Sequence, residues 1–107
     1  MTLKISELLK VSLELWNIQV RIHATQRMFQ RKISHGDLLA VLTTGTVIEQ
    51  YPEDAPFPSL LVCGLTESKR PLHVVIALNM DDKTLFVITT YEPDQLQWTD
   101  NFSRRLK

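Results

Sequence analysis

The order of apolar and polar residues divides the chain into a helical first part and a strand-rich second part. In the first segment apolar residues recur at helical spacing, at Ile5, Leu8, Leu9, Leu13 and Trp16. This spacing predicts an amphipathic helix over residues 2–16. A second helix is predicted over residues 23–32, with Ala24 and Met28 on its apolar face.

A third helix has well-marked ends. Ser34 is followed three residues later by Asp37, which is typical of a capping box with aspartate in the glutamate position. Its apolar face consists of Leu38, Leu39, Val41 and Leu42. Gly45 follows, and a glycine at this place favours a helix end in the left-handed conformation.

Four apolar runs after Gly45 predict β-strands at Thr46–Tyr51, Ser59–Leu65, Leu72–Leu78 and Leu85–Tyr91. The proline-rich segment 51–58 is predicted to be a loop. The connections between the last three strands are short enough for hairpins, so neighbouring strands should pair antiparallel. Trp98 and Phe102 are predicted to hold the C-terminal tail against this sheet.

These elements predict an α+β fold with N-terminal helices packed on a four-stranded antiparallel meander sheet. The length of 107 residues suits one hydrophobic core and is too short for two. We therefore predict a single domain over residues 1–107.

The composition changes this picture little but limits the function. Twelve basic and twelve acidic residues cancel, so binding of nucleic acid would depend on a local patch.

The single cysteine, Cys63, cannot form an internal disulfide, which fits a reducing compartment. No apolar stretch has the roughly 20 residues of a membrane span, and the first residues lack a signal-peptide pattern. We expect a cytoplasmic protein with no membrane partner.

Motifs for familiar chemistry are absent from the sequence. It contains no glycine-rich phosphate loop, no Cys-x-x-Cys or His-Glu-x-x-His motif, and no Gly-x-Ser-x-Gly elbow. Two histidines and a loop carboxylate could still hold a transition metal. We predict neither a metal nor a cofactor.

His73 stands where a purely structural strand would carry an apolar residue. It lies inside the run Arg70-Pro71-Leu72-His73-Val74-Val75, and a buried imidazole costs free energy unless its nitrogens find partners. One interpretation is a core histidine bonded to the backbone. The other is a proton-transfer group, because imidazole changes charge near neutral pH.

His23, Arg27 and Arg31 follow one another at intervals of four residues and project from one side of the second predicted helix. With Arg70 and His73 they would form a basic patch despite the zero net charge. Arginines bind phosphate bidentately, and histidines can move protons at the attacking and leaving oxygens. The sequence therefore predicts His23, His73, Arg27 and Arg70 as the catalytic residues of a metal-independent ribonuclease.

Substrate binding is assigned to Arg31, which extends the helical face, and to Tyr91, which could stack on a base or contact a phosphate. Each assignment has a structural alternative. The helical residues could form a solvated face, and Tyr91 could lie at the rim of the core.

A series of motifs from about residue 20 to residue 106 resembles the domain-of-unknown-function family 4258 of bacteria and archaea. The motifs are His23-Ala24, Arg27-Met28, Gly45-Thr46-Val47-Ile48-Glu49, Tyr51-Pro52, Arg70-Pro71-Leu72-His73, Thr89-Thr90-Tyr91-Glu92-Pro93-Asp94, Trp98 and Arg104-Arg105. The helix predicted over residues 2–16 falls largely outside this region. The chain departs from the pattern at Ile22, where a small hydroxyl residue is expected.

This family is similar to the RelE-like superfamily of toxins from toxin–antitoxin systems. The resemblance implies an RNA endonuclease that cleaves messenger RNA, or a relative that has lost the activity. It also implies a partner, a small antitoxin-like protein with a zinc-binding finger. Two other functions stay open: a non-catalytic module that binds protein or RNA through the same face, and a small-molecule or metal-dependent enzyme. The oligomeric state is not predicted.

Overall fold

A computed structural model describes residues 3–9, 12–94, 98–99, 102 and 104–105. Within these residues the helices and strands follow one another in this order: β1 (Leu3–Lys4), α1 (Ile5–Leu9), a 3₁₀ helix (Leu13–Leu15), β2 (Asn17–Val20), α2 (Ile22–Arg31), α3 (His35–Thr44), β3 (Thr46–Tyr51), β4 (Ser59–Leu65), β5 (Pro71–Asn79), β6 (Thr84–Tyr91), β7 (Trp98–Thr99) and β8 (Arg104–Arg105).

The main sheet has six strands in the order β1-β3-β4-β5-β6-β2. Strands β3 to β6 pair antiparallel with their neighbours in chain order, and β1 pairs antiparallel with β3. Strand β2 pairs parallel with β6, so the sheet is mixed. The prediction of N-terminal helices on a four-stranded antiparallel meander is therefore wrong. The two additional strands come from the N-terminal segment, which extends the sheet at both edges.

The helix predicted over residues 2–16 is the origin of this error. Residues 2, 10 and 11 lie outside the described part. Leu3–Lys4 form β1, Ile5–Leu9 form the short α1 and Leu13–Leu15 form a 3₁₀ helix. Ile5, Leu9 and Trp16 are nevertheless buried in the core, which is what their helical spacing reflects. The edge of β3 offers backbone hydrogen bonds, and pairing with it outweighs helix formation at β1. Strand β2 (Asn17–Val20) lies between the first two predicted helices, where no element was predicted, and pairs with the edge of β6.

Helices α2 and α3 match their predicted ranges to within a residue or two. The predicted capping box of α3 is confirmed: the Ser34 hydroxyl accepts from the Asp37 amide, and the Asp37 carboxylate accepts from the Ser34 amide, both at 3.0 Å. The left-handed end predicted at Gly45 is wrong, because its φ is −73°. Gly45 is needed for space, since an added Cβ would lie 2.4 Å from the Val41 carbonyl oxygen.

The hydrophobic core lies on one face of the sheet. Helix α3 contributes Leu38, Val41 and Leu42, all fully buried, and strand β5 contributes Leu72 and Val74. Because side chains alternate along a strand, the residues between them on β5 point to the opposite face. The opposite face of β5 therefore carries His73.

Candidate functional site

His73 lies on the face of the sheet that the helices do not cover. It is placed opposite Tyr91 of β6 and Cys63 of β4 in the strand register. Its side chain has no exposed surface. The sequence predicted that His73 would form one basic patch with Arg70 and the polar side of the second helix. The cover comes instead from the C-terminal tail.

Trp98 and the backbone of Phe102 supply this cover. The prediction that Trp98 holds the tail against the sheet is confirmed, whereas Phe102 contacts His73 through its backbone carbonyl. The Trp98 ring stands perpendicular to the His73 ring, with their centroids 4.4 Å apart. The Trp98 side chain is itself buried. The Tyr91 ring meets His73 edge-on, at 5.3 Å between centroids. His73 is therefore enclosed by two aromatic rings.

Both nitrogens of the His73 ring have hydrogen-bond partners. Nε2 lies 2.7 Å from the carbonyl oxygen of Phe102, and a carbonyl can only accept, so Nε2 carries the proton of this bond. Nδ1 lies 3.2 Å from the hydroxyl of Tyr91. In the neutral ring that this tautomer gives, the Tyr91 hydroxyl donates to Nδ1. Through Nδ1, His73 is thus linked to Tyr91, whose side chain is half-buried.

Helix α2 lies beside the part of β6 that contains Tyr91. Strand β2 pairs with β6 only from Thr84 to Val87, and the chain then turns into α2, which packs against β6. Ala24 and Met28 on the inner side of α2 are buried. The outer side therefore borders the second half of β6.

A cleft of about 440 Å³ lies between α2 and the end of β6, and we call it the α2–β6 cleft. Its lining residues are His23, Arg27 and Arg31 from α2, Thr89 and Tyr91 from β6, and Glu92, Asp94 and Trp98 from the segment that follows. His23 and Arg31 are exposed, whereas Arg27 and Tyr91 are half-buried. Four of the six site residues predicted from sequence meet here.

Arg70 has a different place from the one predicted. Its guanidinium donates to the Glu92 carboxylate at 2.8 Å, to the Lys32 carbonyl at 2.8 Å and to the Arg31 carbonyl. Because these carbonyls belong to the C-terminal end of α2, Arg70 joins this end of the helix to the segment after β6. Among the described residues it does not line the α2–β6 cleft.

The charges of the cleft are mixed. Arg70 holds the pKa of the Glu92 carboxyl below its ordinary value, first through their hydrogen bond, and Arg31 contributes through its charge. Asp94 adds a second acidic group to the lining. Two arginines and a histidine thus face two carboxylates.

Outside the cleft, on the same face of the sheet as His73, burial raises the pKa of the Cys63 thiol.

Sequence reasoning assigned no site role to Glu92, Asp94, Thr89 or Trp98. Glu92 and Asp94 directly follow the last predicted strand, and the segments that leave a sheet often carry binding and catalytic residues. No feature of the sequence around Trp98 predicted that it would line a site. Trp98 was predicted to hold the tail against the sheet, and the structure places it also in the wall of the cleft.

Two further observations concern the described residues only. No three histidine, cysteine or acidic side chains among them come together as a set of metal ligands. None of their helices is both long and apolar enough to cross a membrane.

Comparison with known proteins gives a family and no activity. Residues 21–92, about two thirds of the chain, match the model of the family described as "Domain of unknown function (DUF4258)". The chain belongs to this family. No curated protein and no solved structure matches it. The matched region contains helices α2 and α3 and strands β3 to β6. Elements β1, α1 and β2 precede it.

Proposed function

We propose that the protein is a metal-independent RNA endonuclease of the RelE-like toxin type. The observation that carries the proposal is the α2–β6 cleft, in which His23, Arg27, Arg31 and Tyr91 line one space. Guanidinium groups bind phosphate, and an aromatic ring can stack on an unpaired base. The resemblance to RelE-like toxins supports the same activity. Its partner would then be a small antitoxin-like protein with a zinc-binding finger.

The proposed reaction uses the hydrogen bond between Tyr91 and His73. The substrate's 2′-hydroxyl attacks phosphorus and gives its proton to the Tyr91 hydroxyl oxygen. The hydroxyl proton of Tyr91 passes at the same time to Nδ1 of His73, 3.2 Å away. The P–O bond to the 5′-oxygen breaks, and protonated His23 gives this oxygen a proton. The products are a 2′,3′-cyclic phosphate and a 5′-hydroxyl end.

The other predicted residues divide into two groups in this proposal. Arg27 and Arg31 bind the scissile phosphate and stabilise the charge that grows on its oxygens. His73 is a positioning residue and proton acceptor behind Tyr91, because its ring is fully enclosed. Arg70 positions the end of α2 through the carbonyls of Arg31 and Lys32.

The experiment is cleavage of an end-labelled RNA by the purified chain, with and without ribosomes. Tyr91→Phe keeps the ring but removes the hydroxyl, and His23→Gln removes the proton donor. Each is expected to lower the rate by a factor of about 10²–10⁴, the usual contribution of a general acid or base. Gln26→Ala, on an exposed position of α2, is the control and should keep the parent rate.

A 2′-deoxynucleotide at the cleaved position gives an independent readout. It removes the proposed nucleophile and should abolish cleavage without changing the charge of the substrate. Cleavage that persists at this position, or parent rates for both Tyr91→Phe and His23→Gln, would contradict the mechanism.

A non-catalytic binding module is the second candidate function. The enclosure of His73 favours it, because only one histidine of the predicted pair is directly accessible in the cleft. This candidate predicts RNA or protein binding that weakens in Arg27→Ala, without cleavage and without growth arrest on expression. Binding to RNA would also weaken steeply with added salt.

A further inference from the structure

A second, smaller cleft lies on the face of the sheet that the helices do not cover, and we call it the Phe86 cleft. Val75 and Ala77 form its floor, because they follow His73 at intervals of two residues on β5 and share its face. The rings of Phe57 and Phe86 also line it. Its volume of about 200 Å³ is below the range of drug-sized sites and suits a single flat ring.

Arg21 and the two phenylalanines of this cleft form a stacked cluster. The Arg21 guanidinium lies over the Phe86 ring, 4.7 Å from its centroid. The Phe57 ring is stacked with Phe86, with 5.6 Å between centroids and 10° between the ring planes. Arg21 is exposed, and no described carboxylate forms an ion pair with it. A guanidinium that is held by an aromatic ring and open to solvent can bind a phosphate.

The Phe86 cleft adjoins the α2–β6 cleft. Thr89 lines the α2–β6 cleft and is paired in the strand register with Val75, which lines the Phe86 cleft. Side chains paired in this way are about 5 Å apart. Phe86 and Tyr91 lie about 15 Å apart along β6, from the usual rise per residue. A single strand of a few nucleotides can therefore reach both clefts.

We propose that the Phe86 cleft binds an unpaired cytosine base of the RNA, a few nucleotides away from the cleaved bond. The inference rests on the proposed function and adds to it a binding site that takes no part in the chemistry. The base lies against the phenylalanine rings, and Arg21 binds an adjoining phosphate. Proteins that bind single-stranded RNA combine aromatic rings and cations in this way.

Asp54 gives the cleft its preference for cytosine. Its carboxylate accepts a hydrogen bond from the hydroxyl of the buried Ser59, and both residues line the cleft. A carboxylate accepts from the exocyclic amine of cytosine, whereas uracil has a carbonyl oxygen at the same position. Asp54 also repels a phosphate that Arg21 attracts, so the base lies towards Asp54 and the phosphate towards Arg21.

The experiment is binding of a fluorescein-labelled oligocytidylate, followed by fluorescence anisotropy. A length of about eight nucleotides is within the usual range of single-strand sites. Every 2′-hydroxyl is methylated, so the proposed nucleophile is blocked and binding is measured without cleavage. The parent should bind oligocytidylate at least about fivefold more tightly than oligouridylate of the same length.

Two variants test the ring and the cation separately. Phe57→Leu keeps an apolar side chain and removes the flat ring, and Arg21→Gln removes the charge. Each should weaken binding about tenfold. Arg21→Gln should also reduce the salt dependence of binding by about one phosphate contact. Because Arg21 is exposed, this variant keeps the test valid even if Phe57→Leu does not fold.

Each of these variants has a matched control. Phe29→Leu changes a ring that is 87% exposed on α2 and lines neither cleft. Lys4→Gln removes an exposed charge on β1, at the opposite edge of the sheet from β6 and β2. Both controls should bind oligocytidylate as the parent does. Asp54→Ala should bind both oligonucleotides equally.

Failure of this inference and failure of the proposed function give different results. No binding by the parent, or parent-like binding in both Phe57→Leu and Arg21→Gln, would overturn the inference even if unmodified RNA is cleaved. Weaker binding in these variants without any cleavage of unmodified RNA would support the Phe86 cleft and contradict the ribonuclease. Equal binding of the two oligonucleotides by the parent would overturn the assignment of cytosine.

Discussion

Helices α2 and α3 have ten residues each and follow one another directly, yet they serve different purposes. Helix α3 buries Leu38, Val41 and Leu42 and begins with a capping box. Helix α2 buries only Ala24 and Met28 and has no side-chain cap at its N-terminus.

The difference follows from where each helix lies. Helix α3 covers the core face of the central strands, so its side chains must be apolar and closely packed. Helix α2 lies beside the second half of β6, so one side can remain polar and face the α2–β6 cleft. Substitutions in α3 should therefore change stability, and substitutions on the outer side of α2 should change function with little effect on stability.

The largest stability effect is expected for truncation of a core residue of α3. Leu38 has no exposed surface, and Leu38→Ala should lower the free energy of unfolding by about 2–5 kcal/mol. The matched control is Phe29→Ala in α2, where the side chain is 87% exposed and the change should stay within about 0.5 kcal/mol. Urea unfolding of both variants measures the difference. Equal losses would contradict the division between the helices.

A second prediction concerns two glycines, Gly36 within α3 and Gly45 directly after its last residue. A Cβ at Gly45 would lie 2.4 Å from the Val41 carbonyl oxygen and 2.7 Å from Val62 Cγ1, so Gly45→Ala should cost about 1–3 kcal/mol. At Gly36 the nearest atom would be 3.7 Å away, so Gly36→Ala should stabilise by up to about 1 kcal/mol. Thermal unfolding of the pair gives the sign of each change. A stable Gly45→Ala variant would contradict the close approach of α3 and β4.

These two helices also indicate how far the sequence could predict the molecule. The capping box and the apolar spacing of α3 are local, and they located the helix correctly. The strands β3 to β6 were likewise predicted from local runs of β-forming residues. Strands β1 and β2 were missed because their formation depends on the edges of β3 and β6, which are distant in the chain.

The same limit applies to the candidate site: the parts set by local spacing were predictable, and the parts set by tertiary contacts were not. The spacing of His23, Arg27 and Arg31 placed them correctly on one side of α2. The positions of His73 and Arg70 were not predictable. The first depends on contacts with the tail, up to Phe102, 29 residues later, and the second on the backbone carbonyls of Arg31 and Lys32. Both are tertiary contacts without a local pattern.

A third prediction tests whether Arg70, a residue outside α2, stabilises the C-terminal end of this helix. Arg70 donates to the carbonyls of Arg31 and Lys32, and a lysine cannot reproduce its forked geometry. Arg70→Lys should therefore cost about 1–2 kcal/mol despite the preserved charge. Hydrogen exchange should speed up at the last amides of α2 and stay unchanged in α3. Uniform acceleration in both helices would argue against a local role.

A fourth prediction concerns the N-terminal side-chain cap that α3 has and α2 lacks. Ser34→Ala removes the acceptor of the Asp37 amide and should cost about 1 kcal/mol. Ser34→Asp retains a capping oxygen and should restore most of the stability. Chemical denaturation of the three proteins measures this, and an unaffected Ser34→Ala variant would show that packing alone sets the start of α3.

The smallest expected effect is that of the ion pair near the end of α2. Arg70 lowers the pKa of Glu92 in the folded protein, so the pair stabilises the fold above the ordinary carboxyl range. This contribution is lost as the pH falls through the lowered value. Since the Glu92 side chain is 48% exposed, Glu92→Gln should cost less than about 1 kcal/mol at neutral pH.

The pH dependence distinguishes this ion pair from a packing contact. As the pH falls through the lowered pKa of Glu92 in the folded protein, the variant and the parent should approach equal stability, because Glu92 then becomes neutral in both the folded and the unfolded chain. Added salt should reduce the neutral-pH difference as well. A cost that is independent of pH and salt would mean that Glu92 stabilises the end of α2 through its shape rather than its charge.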